Sequence, residues 1–179
     1  MDKMALTYRV CFKQLDENQI AEFLYLQKDE LLLPDRSAAV QVMDLLFEKG
    51  GVMGGFDRNG NMQAILGFLF GDPSEEFSDK ETLFFYVAAL AKPYRQTRAF
   101  YKGLMAVLYQ GKGMGVDRFK MQAGLSNRYI NRLYSKFGQP LGESTTLRGQ
   151  PVMTYGGSLT HVISQLEARS STGKQTLGH

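Results

Sequence analysis

Tyr134 sits in the segment Asn127-Arg-Tyr-Ile-Asn-Arg-Leu-Tyr-Ser-Lys-Phe-Gly138, whose spacing fixes the direction of its phenol. Ile130, Leu133, Tyr134 and Phe137 recur at i, i+3, i+4, i+7, the signature of one apolar helical face. Asn127 is suited to cap the start of that helix, and Gly138 to end it in a left-handed conformation. A phenol is neutral at physiological pH and carries one O–H. It can therefore supply the proton that a departing thiolate needs in acyl transfer from a thioester.

A second chemically loaded stretch precedes it. Residues 87–110 read as a buried strand that stops at Pro93, a short basic turn, and an amphipathic helix. A helix N-terminus offers unpaired N–H groups and a partial positive charge to anions. Lys92, Arg95, Arg98 and Lys102 add full charges there, and no Asp or Glu occurs over residues 82–116. A pyrophosphate fits this stretch, as does an acidic protein carrying a phosphopantetheine.

The elements that must position these residues follow from pattern. Residues 8–12 read as a first strand. Asp16 with Gln19 three residues on suggests a capped helix with Ile20, Phe23, Leu24 and Leu31 inside, broken by Pro34. Ser37 starts a second helix through Leu45, Leu46 and Phe47, ended by Gly50-Gly51. Strands over 52–56 and 62–70 are joined across Asn59-Gly60, a strong hairpin signal. An acidic loop over 71–81 leads to a central strand at 83–91, apolar on both sides. A helix over about 98–110, a glycine-rich turn at 111–115, a strand at 118–123 and the Asn127 helix come next. Gly-Lys-Gly-Met-Gly lies after a helix and before a strand, the wrong order for a nucleotide loop. A last short helix spans 160–169, within a single domain over 1–168. Residues 169–179 read as a polar, disordered tail.

Composition narrows the class. With 179 residues, 44% hydrophobic and 22% charged, the chain has room for a real core. A net charge of +3 gives no argument for nucleic acid. No apolar run is long enough for a bilayer, and no signal-peptide pattern opens the chain. Cys11 is the only cysteine, which indicates a reducing, cytoplasmic setting and a packing role. His161 and His179 are too few for a metal site or a catalytic triad.

The order of strand, Pro-Tyr-Arg turn, helix, strand, then Asn-x-x-Ile-x-x-Leu-Tyr-x-x-x-Gly resembles the GNAT superfamily of N-acyltransferases, over about residues 5–158. In that family the turn usually reads Arg/Gln-x-x-Gly-x-Gly/Ala and grips the pyrophosphate of coenzyme A through backbone N–H groups. The matching positions here are Arg95, Arg98 and Phe100, so both small residues are absent. The later motif matches at Asn127, Leu133, Tyr134 and Gly138. It departs at Ile130 and Gln139, often alanine and phenylalanine in the family. Glycine lets backbone approach phosphate closely, whereas Arg or Phe adds bulk. The worn turn is similar to that of acyl-homoserine-lactone synthases and long-chain N-acyl amino acid synthases. So is the tail, where Gly149-Gln150-Pro151 closes a strand pair. Those enzymes take fatty acyl groups, often from acyl carrier protein.

The resemblance implies an α/β (α+β) fold, with a largely antiparallel central sheet of about six or seven strands flanked by helices. A splayed parallel strand pair would mark the donor site. Ala88, Ala89, Leu90 and Ala91 would pair with the pantetheine amide. Arg95, Gln96, Thr97, Arg98, Ala99, Phe100 and Asn127 would complete donor binding. Tyr134 would act as acid and Glu81 as base, with Glu143 or a water-mediated route as alternatives. Phe68, Phe70, Phe84, Phe85 and Tyr86 offer an apolar lining for an acyl chain, and nine methionines suit such a surface. No metal and no permanently bound cofactor is implied. The donor, acyl-CoA or an acyl-phosphopantetheine on acyl carrier protein, is a substrate, and the acceptor is a small-molecule or peptide amine. The enzyme would be a monomer or homodimer without a nucleic-acid partner. Two other readings remain: an acetyltransferase whose turn has drifted, and a non-catalytic GNAT-like module that binds through its basic face.

Overall fold

The computed structural model describes residues 5–95, 97–146 and 149–176, with 170–176 by backbone alone. Gln96 and residues 177–179 of the expected tail lie outside the described residues. Seven strands form: β1 (Thr7–Val10), β2 (Gly50–Phe56), β3 (Met62–Phe70), β4 (Thr82–Leu90), β5 (Arg118–Gly124), β6 (Gln139–Thr145) and β7 (Pro151–Ser158). Their order is β1-β2-β3-β4-β5-β7-β6, with β4 and β5 the parallel pair in a mostly antiparallel sheet. The mixed, helix-flanked sheet implied by the motif order is thus present. The chain divides into two compact units, Met1–Leu69 with Phe85–Val107, and Phe70–Phe84 with Leu108–His179.

In the first unit, β1 runs antiparallel to β2, with Thr7 opposite Phe56, and β2 antiparallel to β3, with Gly50 opposite Leu69. The β2–β3 turn places Gly60 at φ 78, and the Asp57 carboxylate accepts the Asn59 and Asn61 N–H groups. Asn-Gly forms such turns because glycine takes the left-handed backbone without a Cβ clash. Helices α1 (Lys13–Leu26), α2 (Lys28–Leu31) and α3 (Arg36–Lys49) follow β1. Ile20 and Leu24 of α1 and Ala39 and Leu46 of α3 are buried, as helical spacing requires.

Two starts differ from expectation. Asp16 is not the cap of α1: it lies inside the first turn, where its carboxylate accepts the Phe12 N–H at 2.8 Å and a forked pair of bonds from Arg9. Arg9 holds that carboxyl below its ordinary range, chiefly through the hydrogen bonds. α3 begins at Arg36, one residue earlier than Ser37 suggests, because Asp35 caps it by accepting the Ala38 N–H at 2.8 Å.

The first unit also holds most of β4, a 3₁₀ turn at Lys92–Tyr94, and the start of α4 (Ala99–Gly113). α4 runs through Gly111, expected to be a connector, and the chain turns left-handed only at Gly115, φ 84.

In the second unit, β7 is antiparallel to β5, with Met121 opposite Tyr155, and to β6, with Pro140 opposite Tyr155. Helix α5 (Arg128–Ser135) sits between β5 and β6 in the chain, and α6 (Leu159–Thr176) follows β7. α6 continues past Arg169, so residues 170–176 of the expected disordered tail extend the helix backbone instead. Phe119, Met121, Leu133, Phe137, Leu159 and Val162 are buried here. The 71–81 loop is pinned by Lys120, which reaches Asp72 at 3.2 Å and Glu75 at 3.3 Å.

Candidate active site

Asn127 caps α5 as the sequence implies: its Oδ1 accepts the Ile130 N–H at 3.1 Å. Four residues on, Asn131 stands one turn higher on the same face. Its Nδ2 donates to the Gly124 carbonyl at 2.8 Å and to the Asn127 carbonyl at 2.8 Å, while its Oδ1 accepts the Tyr155 hydroxyl at 2.8 Å. One amide therefore ties α5 to the end of β5 and to β7. The motif comparison did not single out Asn131 or Tyr155. The available signal was the repeat of Asn at i+4.

This frame fixes Tyr134. Its ring packs edge-to-face on Tyr155, with centroids 6.1 Å apart and planes at 78°, a favoured aromatic geometry. Tyr134 is buried, and its hydroxyl has no hydrogen-bond partner among the described residues. Burial pushes its pKa up to about 12, because an apolar setting disfavours the charged phenolate. The contrast with Tyr155, whose hydroxyl is bonded to Asn131, is chemically informative. Tyr134 keeps a neutral O–H with no acceptor among the described residues.

Gly138 has a different role from the one expected. It is not among the left-handed glycines, and α5 is closed by Lys136. A Cβ at Gly138 would come within 3.2 Å of the backbone N and O of Gly156. Glycine is needed for close approach to β7.

The basic turn belongs to the first unit. Ala88 is exposed although it lies within β4, Ala89 is buried, and Tyr86, Val87 and Leu90 are half-buried. The Ala91 N–H donates to the Gln63 carbonyl at 2.8 Å. Arg95 turns back on the protein, its Nε donating to the Leu90 carbonyl at 2.9 Å and its Nη2 to Gln27 Oε1 at 2.8 Å. Its Nη1 also pairs with Glu30 at 2.7 Å. The Thr97 hydroxyl donates to the Tyr94 carbonyl and accepts the Ala99 N–H at 3.1 Å, so the first N–H of α4 is capped from within. Ala99 is buried and its carbonyl receives the Tyr8 hydroxyl. Arg98 is exposed and has no partner among the described residues, and Phe100 is half-buried with its ring edge-on to Tyr101.

The carboxylates are less converging. Glu81 is exposed, 3.8 Å from Arg118 Nη2, and its backbone carbonyl accepts the Arg118 N–H. It stands at the Arg118 end of β5, whereas Asn131 tethers α5 to the Gly124 end. A seven-residue strand separates its ends by roughly 20 Å. Glu143 is exposed on β6, opposite Met153. Phe68, Phe84 and Phe85 are buried, and Phe70 is half-buried. Cys11 is buried and burial pushes its thiol up to about 12, which disfavours a nucleophilic thiolate. Among the described residues no cluster of His, Cys, Asp or Glu is arranged to hold a metal, and no helix is long and apolar enough to cross a membrane.

Solved structures share this fold. An acetyltransferase of the GNAT family from Desulfovibrio desulfuricans superposes with a TM-score of 0.67 at 13% identity, covering 87% of this chain and 99% of that one. An N-acetyltransferase from Staphylococcus aureus matches at a TM-score of 0.63 and 13% identity, over 86% and 98% of the two chains. An aminoglycoside 6′-N-acetyltransferase complexed with coenzyme A matches at 0.64 and 10% identity, over 86% and 97%. No protein-family model and no curated protein matches the sequence at a significant level. The chain has the fold of the GNAT acetyltransferases.

Proposed function

We propose that this protein is an N-acyltransferase that moves an acyl group, by preference a fatty acyl group, from a pantetheine thioester to the amine of an amino acid or peptide. The observation that carries this reading is Tyr134: a phenol on a buried side chain, its hydroxyl without a hydrogen-bond partner among the described residues, on a tethered helix of a GNAT fold.

In this reading the amine attacks the thioester carbonyl, the C–N bond forms, and the C–S bond breaks with the electron pair leaving on sulfur. Tyr134 donates a hydrogen bond to that sulfur. An alkyl thiol titrates near about 8.5, so a phenol near 12 does not hand its proton over outright. The proton that ends on sulfur comes from the attacking nitrogen, relayed by water. Glu81, ion-paired with Arg118, is not required as a base. Holding donor and acceptor together contributes most, on the order of 7–11 kcal/mol in well-oriented cases.

The donor is coenzyme A or acyl carrier protein. Exposed Ala88 offers its backbone to the pantetheine amide, and Arg98 its charge to phosphate. The preference for a long acyl chain is supported by the turn, where Arg98 and Phe100 stand in place of two small residues. Acetyl transfer is favoured by the related structures, which are acetyltransferases, one of them with coenzyme A bound.

Thermal unfolding with coenzyme A, acetyl-CoA, acyl-CoAs of rising chain length and acyl carrier protein forms tests the proposal, since a ligand of the folded state raises the midpoint by mass action. Stabilisation that grows with chain length is expected. Equal shifts with acetyl-CoA would favour acetyl transfer, and no shift with any donor would overturn the enzyme reading.

A further inference from the structure

Arg95 lies where the chain leaves β4, and its guanidinium joins three separate stretches. Leu90 closes β4, Gln27 links α1 to α2, and Glu30 belongs to α2. All three accept from it, at 2.9, 2.8 and 2.7 Å. A planar guanidinium presents its donors at fixed angles, so three simultaneous contacts constrain the three stretches together. The side chain is only 31% exposed, which limits screening. On the other side of the strand end, the Ala91 N–H is bonded to Gln63 of β3. Backbone bonding therefore holds Ala91 at the β4 terminus, and Arg95 holds Leu90, the residue before it.

We infer that Arg95 is a positioning residue, a clasp that fastens the end of β4 to the α1–α2 junction and so sets the course of the donor turn, without touching the donor's phosphates. The inference rests on the donor-binding role proposed above for that turn. Its charge is already met by Glu30, while Arg98, exposed and without a partner among the described residues, carries the charge that an incoming phosphate would meet. A clasp and a phosphate ligand fail in different ways. Losing the clasp disturbs every part of the donor seat, whereas losing a phosphate ligand affects only probes that carry phosphate.

The experiment uses coenzyme A and phosphate-free pantetheine as paired probes of Arg95→Met, Glu30→Gln and Arg98→Met. Arg95→Met should weaken both probes by the same factor, about tenfold, as expected for loss of charge-assisted bonds. Glu30→Gln should shift both in the same direction, and Arg98→Met should weaken coenzyme A alone. If Arg95→Met lost coenzyme A affinity and kept pantetheine affinity, Arg95 would be a phosphate ligand and the clasp would be wrong. Amide hydrogen exchange of the ligand-free protein gives a reading independent of any donor. Exchange at residues 90–100 should quicken in both Arg95→Met and Glu30→Gln. Unchanged exchange in both overturns the clasp. Quickened exchange with no probe binding to the wild type leaves the clasp standing and refutes the donor reading instead.

Discussion

Replacing Tyr134 with Phe removes one oxygen and should move activity and stability in opposite directions. The hydroxyl has no protein partner among the described residues, so its removal leaves no orphaned group behind. Deleting a hydroxyl that makes no hydrogen bond to the described residues is neutral or slightly stabilising, by up to about 1 kcal/mol. In a chain of this size each kcal/mol raises the melting point by about 2–4 °C. On the rate side, the proposed reaction uses Tyr134, with its pKa pushed up to about 12, as a hydrogen-bond donor to sulfur rather than a full proton donor. A bond to a charged group contributes about 1.5–3 kcal/mol, so the maximal rate should fall roughly 10- to 100-fold with little change in donor affinity. Alkaline pH gives a third readout. The unfolded phenol ionises near 10.0 and the folded one near 12. Between those values the unfolded chain binds fewer protons, so stability falls as pH rises; the contribution is complete below 10. Its full size is roughly 3 kcal/mol at about 1.4 kcal/mol per unit, and Tyr134→Phe should abolish it. Free-thiol release measures the rate, and urea unfolding at neutral and alkaline pH measures the rest. A variant that lost stability at neutral pH and kept its rate would show that the hydroxyl is structural and refute the reasoning.

At low pH the Arg9–Asp16 pair should control unfolding. Asp16 titrates below 3.8 in the fold, so its contribution is present above that value and is lost as pH falls through the folded pKa. Asp16→Asn should flatten the acid limb of a urea-unfolding series, and an unaltered limb would exclude the pair. Gly138→Ala should destabilise by about 1 kcal/mol, because a Cβ 3.2 Å from the backbone N and O of Gly156 makes the β7 backbone give by a few tenths of an ångström; chemical denaturation reads this directly. Coenzyme A affinity should fall with added salt, and Arg98→Ala should flatten that dependence, since an exposed charge is screened over about 10 Å at 0.1 M. Equal salt slopes in calorimetric titrations of the two proteins would remove Arg98 from donor binding.

Much of this architecture was legible where short-range rules decide. Asn59-Gly60 and the Asn127 cap are local events, and both occur as their spacing implies. Ile130, Leu133, Tyr134 and Phe137 face inward as a 3.6-residue period demands, with Ile130 half-buried and the others buried. Failures arose where a distant partner outweighed a local signal. Asp16 looked like a cap, yet Arg9 on β1 draws it into an ion pair. Gly138 looked like a helix terminator, yet β7 requires its missing side chain. Arg95 looked like a free cation because Gln27 and Glu30, far away in sequence, show no sign of meeting it. Asn131 escaped notice for the same reason, its partner on β7 lying 24 residues away.

The turn over residues 95–100 shows what the absent glycines change. Glycine can serve such a turn by adopting a left-handed backbone or by leaving room. Among described non-glycine residues the left-handed region is occupied only at Leu32, Glu76 and Phe77, so Arg98 carries no strain of this kind. Room is therefore what was exchanged. The Ala99 N–H, which a phosphate cradle would use, is already taken by Thr97, and Thr97 itself is anchored on the Tyr94 carbonyl. Arg98 extends a full charge from the same position. A cradle of backbone N–H groups binds through direction, at fixed distance, and tolerates salt. A single flexible guanidinium binds through charge, with more reach and less geometric demand. In the proposed reading a donor held that way would be less tightly fixed at its phosphates, and the fixing would have to come from elsewhere along its length, from the backbone of β4 at the pantetheine and from apolar contact with the acyl chain. That redistribution would be the physical link between the worn turn and the proposed preference for long acyl groups.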